Sequence, residues 1–494
     1  VRPSDETTIN PIGRCRTLQF SVYRSGDLLM LSTEMLSKFG SLRRRSRLLL
    51  AGVLALLLAG CGHEQAAPPH VFVVSIDTLR ADYLSPYGFD AAATPNAARL
   101  AEGGVTFTRA VTPMGITVPV HATLLTGLMP REHRVRANVH RLPDDIPTIA
   151  GLFSVAGYDT GSILSFGAMN FMSGLDRGFE HASDRAEDGR AFVRPDADTM
   201  ELAREWLEGR SGEQPLFMLL HLYEVHSPHE HTDYSRVRMS DYAGPLADGV
   251  SVEMLYNHSQ PWVGDDEALT ALRTLYAGEV AEADRRVGML LDWIEQRGLL
   301  ENSIVVLVAD HGQGLGENAY FGHGPTLEQT VLHVPIIIHD FRRPRPTRQI
   351  HETVGLIDLA PTLLAMAGLS HDHLPGRNLL AETPAGAEPV VYLSEVEQRS
   401  SQTEFRPARF DDEALAAWFE NYKLVDQDGE QRLYRIDPVL GQQIEAVEMD
   451  ALHESLRLWL LDTMQSYRDG TLKSERAELD DAAIEALRSL GYIQ

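Results

Sequence analysis

The stretch Val71–Asp77, VFVVSID, is an apolar run closed by a carboxylate. Its length suits a strand, and its lack of polar alternation marks a strand buried on both faces, as in a parallel sheet. The same sentence recurs twice. PLFMLLHLYEVHSPH (215–229) runs into Glu224 and His226, and SIVVLVADHG (303–312) ends in Asp310-His311. TGSIL (160–164) and HVPIIIHD (333–340) read as further strands. Between them lie helical patterns: TPNAARLAEGG (94–104), IPTIAGLFSVAGY (146–158), a long helix from about Asp265 to Arg297 stopped by Gly298, and DLAPTLLAMAGL (358–369). Strands alternating with helices predict an α/β fold, a mostly parallel sheet flanked by helices. This first domain spans 71–375.

From 376 to 494 the pattern changes. EPVVYLSE (388–395), ENYKLVD (420–426) and QRLYRID (431–437) are short strands separated by turn residues. A helix follows at 451–467, and DDAAIEALRSLGYIQ (480–494) reads as a short tail helix. The expectation is a smaller, antiparallel α+β subdomain.

The first sixty residues carry an address. Residues 1–34 have no periodicity and are expected to be untranslated or disordered, with Met35 as the start. RRRSR (43–47) and LLLAGVLALLLAG (48–60) make a signal peptide over 35–60, because the run is shorter than the ~20 apolar residues of a spanning helix. Leu58-Ala59-Gly60-Cys61 resembles a bacterial lipobox, which implies lipidation at Cys61 and a tether over 61–70. The expected location is the cell envelope, periplasmic or cell surface, with membrane contact through the lipid anchor only.

The 494 residues carry a formal net charge of −26, which argues against nucleic-acid binding through a general basic surface. The two cysteines, Cys15 and Cys61, lie outside the globular part. A disulfide framework and a cysteine nucleophile are thereby excluded there.

In parallel α/β sheets, sites form beyond the carboxyl ends of the strands. Asp77, Glu224, His226, Asp310 and His311 all fall there. Two aspartates and a histidine suit one divalent cation: Mg, Ca, Mn or Zn. Thr117, in GITVPVHATLLTG (115–127), stands at the mouth of a helix. It reads as an N-cap followed by Pro119 in the first turn. It reads equally as a nucleophile, because a helix N-terminus favours an anion and a metal-bound hydroxyl ionises more easily.

SIDTLRADYLSPYG (75–88), the segment from Ala93 through Thr117 to Val135, LHLYEVHSPH (220–229), VADHGQGLGENAYFGHG (308–324) and VGLIDLAPTLLAMAGL (354–369) together resemble the sulfatase family of the alkaline phosphatase superfamily. The resemblance implies metal ligation by Asp77, Thr117, Asp310 and His311. It implies that His226 and His323 serve the transferred group or the leaving oxygen, and that Asn138 and His229 lie at the substrate. The family's usual second aspartate is Thr78 here, which implies a smaller coordination set than a calcium site. His121 stands where relatives carry arginine, as a group that neutralises charge in flight. The family's formylglycine motif, Cys/Ser-x-Pro-x-Arg, is Thr117-Val118-Pro119-Val120-His121, so no formylglycine is expected. The function implied is hydrolysis of sulfate, phosphate or phosphonate esters on a small ester, glycan or lipid headgroup. The alternatives are a phospho-headgroup transferase and a non-catalytic binding lipoprotein that keeps the fold.

Overall fold

The computed structural model describes residues 67–476 apart from 91, 184–192, 258, 344–345, 383–389, 397–412, 428 and 471–474. The signal segment, Cys61 and the tail helix therefore lie outside the described residues.

The central sheet has eight strands: β1 (His70–Ile76), β2 (Val105–Val111), β3 (Asp159–Leu164), β4 (His181–Ser183), β5 (Leu216–Leu222), β6 (Ser303–Val308), β7 (His333–Asp340) and β8 (Arg348–Gly355). Their order is β8-β2-β7-β6-β1-β5-β3-β4. β1 lies between β5 and β6 and pairs in parallel with both. Every residue of β1, β5 and β6 is buried, so the apolar runs sit at the sheet centre. A Leu-to-Ala change in such a run costs about 2–5 kcal/mol.

β7 corrects the simplest parallel reading. HVPIIIHD is a strand, but it runs antiparallel to both β2 and β6. A parallel return needs a crossover of a dozen or more residues, usually a long helix. Between Val308 and His333 the longest helix is the four-residue Gln329–Leu332, and the chain instead turns back through the small hairpin Gly314–Leu315/Phe321–Gly322.

Helices cover the sheet: α1 (Pro95–Ala101), α2 (Thr117–Thr126), α3 (Ile149–Val155), α4 (Asp196–Glu208), α5 (Asp266–Gln296) and α6 (Leu359–Met366). α5 starts at Asp265, whose carboxylate accepts the Ala268 N–H at 2.8 Å, and ends before Gly298, at φ 67°. In mid-helix, Asp284 accepts the N–H groups of Asn96 and Ala97 at 2.9 and 2.7 Å. A carboxylate thus sits on the positive end of α1 and fixes the two helices together.

The second sheet has five strands: β9 (Tyr392–Val396), β10 (Ala414–Phe419), β11 (Tyr422–Gln427), β12 (Glu430–Ile436) and β13 (Gln443–Ala446), all antiparallel. Along β10, Ala414, Ala416 and Trp418 pack toward Val111 and Leu332 of the main body. Leu415 and Ala417 face Leu460 and Met464 of α7 (Ala451–Asp469). The period of two puts apolar residues on both faces. Among the described residues no helix is long and apolar enough to cross a membrane.

Glu395 on β9 joins this sheet to the main body. Its fully buried carboxylate accepts from Arg131 Nε at 2.9 Å and from Arg136 Nε at 2.8 Å. Its backbone N–H donates to Pro113 O at 2.8 Å, four residues before Thr117. Both guanidinium groups also pair with the partly exposed Glu413, so removing Glu395 leaves two buried cations sharing one carboxylate. Glu395→Ala should lower unfolding free energy by about 3–5 kcal/mol, measured by urea denaturation.

Candidate active site

The sheet delivers its polar residues at one edge, beyond the carboxyl ends of β1, β5 and β6. Asp77 follows β1, and its N–H donates to Leu222 O at 2.9 Å, extending the pairing with β5 by one residue. Thr78 then turns at φ 58°. Positive φ is unusual for a β-branched residue and holds only where the surroundings enforce it. Here the Thr78 N–H donates to Asp310 Oδ1 at 3.2 Å, and its carbonyl accepts from the buried Tyr276 hydroxyl at 2.6 Å.

Asp77, Asp310 and His311 are fully buried, and their ligand atoms lie within 4.8 Å of one another. His311 Nε2 is 3.9 Å from Asp77 Oδ1 and 3.5 Å from Asp310 Oδ2. Its Nδ1–H donates to Gly312 O at 3.1 Å, so the Nε2 lone pair faces the carboxylates. Burial, and then the Asp77 charge, push the Asp310 carboxyl above its usual range. Asp310 Oδ2 accepts no hydrogen bond. Two buried carboxylates and an imidazole nitrogen converging in this way form a donor set that fits a divalent cation.

Thr117 is the first residue of α2, not its cap. The N-cap is Ile116, which makes no side-chain cap. The capping expectation fails because the hydroxyl turns inward, donating to Asp77 Oδ2 at 3.3 Å, with His311 Nε2 at 3.5 Å. The helix mouth is capped from elsewhere. Asn138 Oδ1 accepts the Val118 N–H at 2.9 Å, while Asn138 Nδ2 is buried with no hydrogen-bond acceptor. That spare amide donor beside the hydroxyl is suited to a substrate oxygen.

His226 and His323 meet, Nε2 to Nε2, at 2.8 Å. His226 Nδ1 donates to Ser227 O at 2.7 Å and His323 Nδ1 to Gly115 O at 3.3 Å. With both Nδ1 atoms protonated, the contact between the Nε2 atoms requires one further proton shared between the rings. The His323 ring also stacks on His311 at 4.5 Å. A single proton donor thus stands next to the carboxylate cluster.

Three expected residues lie differently. His121 is fully buried under α2, with Nδ1 donating to Thr117 O at 2.8 Å and Nε2 accepting from Ser75 Oγ at 2.9 Å. Burial, then neighbouring His221, pull its pKa down to about 3, so the ring is neutral and carries no charge toward a transferred group. His229, expected at the substrate, is fully buried between Glu279 Oε2 at 2.7 Å and Gln313 Nε2 at 3.3 Å, tied to α5. Glu224 pairs with Arg286 of α5 at 2.7 Å instead of joining the cluster. Two residues that sequence reasoning passed over matter here. Asp196 accepts the Tyr223 and Glu224 N–H groups and so shapes the turn into His226. His221, one polar ring in the apolar run of β5, stands in register with Ser75.

Comparison with known proteins identifies the family. The sulfatase family model matches residues 69–369. The chain is 24% identical over 364 residues to a Delta 4,5-hexuronate-2-O-sulfatase of Bacteroides thetaiotaomicron, covering 64% of this chain and 72% of that protein. It is 26% identical over 346 residues to human arylsulfatase A, covering 63% and 67%. A phosphonate monoester hydrolase of Agrobacterium radiobacter superposes with a TM-score of 0.65 at 22% identity, over 82% of this chain and 96% of that one. The chain belongs to the sulfatase family and is an ester hydrolase.

Proposed function

We propose that the chain hydrolyses phosphonate, phosphate or sulfate esters with Thr117 as nucleophile and one divalent cation held by Asp77, Asp310, His311 and the Thr117 hydroxyl. The observation that carries this reading is the Thr117 hydroxyl, turned away from its helix and into the carboxylate cluster. When bound, the cation supplies Lewis-acid polarisation of the ester oxygens and lowers the pKa of the hydroxyl.

The chain's own groups do the rest. Asp77 Oδ2 is placed to accept the Thr117 proton. Thr117 Oγ attacks phosphorus or sulfur. The new O–P or O–S bond forms as the bond to the ester oxygen breaks, and the departing alkoxide takes the proton shared by His226 and His323. Asn138 Nδ2 donates to a non-bridging oxygen. Water then attacks the same phosphorus or sulfur, giving a proton back to the His226–His323 pair, while the proton held on Asp77 returns to the departing threonine oxygen, releasing the acid.

Threonine carries a methyl group on Cβ, so oxidation at that carbon gives a ketone and not the formylglycine aldehyde. Its ester can leave only by a second attack at phosphorus or sulfur, which favours phosphorus chemistry over sulfate. We further propose that the substrate is a small ester, glycan or lipid headgroup, and that export and lipidation at Cys61 bring the enzyme to the cell envelope. Cys61→Ser should move it from the membrane to the soluble fraction.

The test is a panel of p-nitrophenyl sulfate, phosphate, phosphodiester and phenylphosphonate with Mn, Zn, Mg or Ca. Turnover is expected, with the phosphorus esters faster than the sulfate. Metal uptake with no turnover of any ester would contradict the hydrolase reading and leave the transferase and binding-module readings. His226→Ala should lower kcat roughly 10²- to 10⁴-fold on alkyl esters and far less on p-nitrophenyl esters, whose leaving group needs no proton.

A further inference from the structure

The ring of His221 is a polar side chain at this edge that the mechanism leaves unused. It is fully buried, and neither ring nitrogen makes a hydrogen bond. A buried imidazole without partners costs free energy unless something in the functional state occupies it. Its Nε2 lies 3.4 Å from Asp77 Oδ2. Donor atoms of His221, Asp310 and His121 lie within 4.8 Å of one another, a group separate from Asp77–Asp310–His311 that shares Asp310 with it. Ligand atoms bound to a single ion at about 2.0–2.2 Å stand at separations of this order.

His121 is the other ring in that group, and its hydrogen bonds remove it. Its Nδ1 proton is committed to Thr117 O and its Nε2 lone pair to Ser75. It would have to break both to ligate. His221 gives up nothing. The strand register explains why it is there: His221 pairs with Ser75 in parallel, so their side chains share one face, and Asp77, two residues beyond Ser75, continues that face.

We propose that His221 is a direct metal ligand, the fifth after Asp77, Asp310, His311 and Thr117. It supplies a nitrogen in the first coordination sphere where Thr78 replaces the second carboxylate of the usual Asp-Asp pair. Thr78 cannot replace that ligand by charge. Two imidazoles, two carboxylates and a hydroxyl form a mixed nitrogen–oxygen set, which selects a zinc-class transition ion over calcium or magnesium. This inference rests on the proposed divalent site and specifies its ligands.

The test uses the full chain loaded with Zn²⁺ and examined by zinc K-edge X-ray absorption, which counts imidazoles by their multiple scattering. Two imidazoles are expected in the wild type and one in His221→Gln. The ratio of Zn²⁺ to Ca²⁺ affinity, measured by calorimetry, should fall roughly 10- to 100-fold in His221→Gln. It should fall further in His221→Asp, which restores an oxygen ligand. One imidazole in the wild type, with zinc bound, would overturn His221 as a ligand and leave the proposed function standing. Failure to bind any divalent ion would overturn both. Where His221→Gln fails to fold, His121→Gln assigns the second ring: two imidazoles retained there support His221, and a fall to one would overturn it.

Discussion

Thr117→Ala should abolish turnover of every ester the wild type accepts, by roughly 10⁴- to 10⁶-fold in kcat, while leaving the fold intact. The size follows from losing the attacking atom itself. Residual catalysis would come only from binding and charge stabilisation by the remaining groups. Folding should survive because the hydroxyl caps nothing: the α2 N-terminus is held by Asn138 through the Val118 N–H. Alanine is also the better helix former. Thr117→Ser keeps the hydroxyl and loses one methyl group, so its kcat should stay within about tenfold of the wild type. Steady-state kinetics paired with thermal melting checks both halves. A Thr117→Ala protein that melts like the wild type and still turns over at its rate would remove the nucleophile from the account.

Asp310→Asn should have the next largest effect, and its signature has two opposite signs. Without metal, the wild type holds Asp77 and Asp310 buried together, and burial plus the Asp77 charge raise the Asp310 carboxyl. Removing one charge relieves that repulsion, so metal-free Asp310→Asn should melt higher than metal-free wild type. With metal, the order reverses. The wild type gains about 2.7 kcal/mol at a hundredfold excess over Kd, and the variant gains little. Chelation should therefore stop turnover and lower the melting temperature of the wild type, while barely moving the variant. Equal metal-induced shifts in both proteins would contradict the assigned ligands.

Sequence alone disclosed the parts that obey a simple pattern. VFVVSID, PLFMLLHL and SIVVLV are apolar throughout because they occupy the sheet centre, and their terminal carboxylates mark the site. β2 was hidden because Thr106, Thr108 and Arg109 interrupt its apolar run even though it is buried. β8 was hidden because it is a polar edge strand. β10 gave no signal because its alanines favour helix in isolation and become strand only between two apolar layers.

The site divides in the same way. Asp77, Thr117, Asp310 and His311 converge, as do His226 and His323. Whether a histidine after a strand faces the cleft or the interior depends on the turn it enters. His226 faces the cluster, while His229, three residues on, is captured by Glu279 from a helix fifty residues away in sequence. His121 matched a charged position, but a fully buried ring with both nitrogens bonded to uncharged groups is neutral. His221 carried one visible signal, a lone imidazole inside an otherwise apolar strand.

The central claim is that Thr117 forms a covalent ester with the transferred group. Rapid quenching of the metal-loaded His226→Ala enzyme with p-nitrophenyl phenylphosphonate, followed by peptide mass spectrometry, tests it most directly. The account predicts a phenylphosphonyl group on Thr117 that accumulates within the first turnover and decays as product appears. Product formation with Thr117 unmodified throughout, or the group found on another residue, would contradict it.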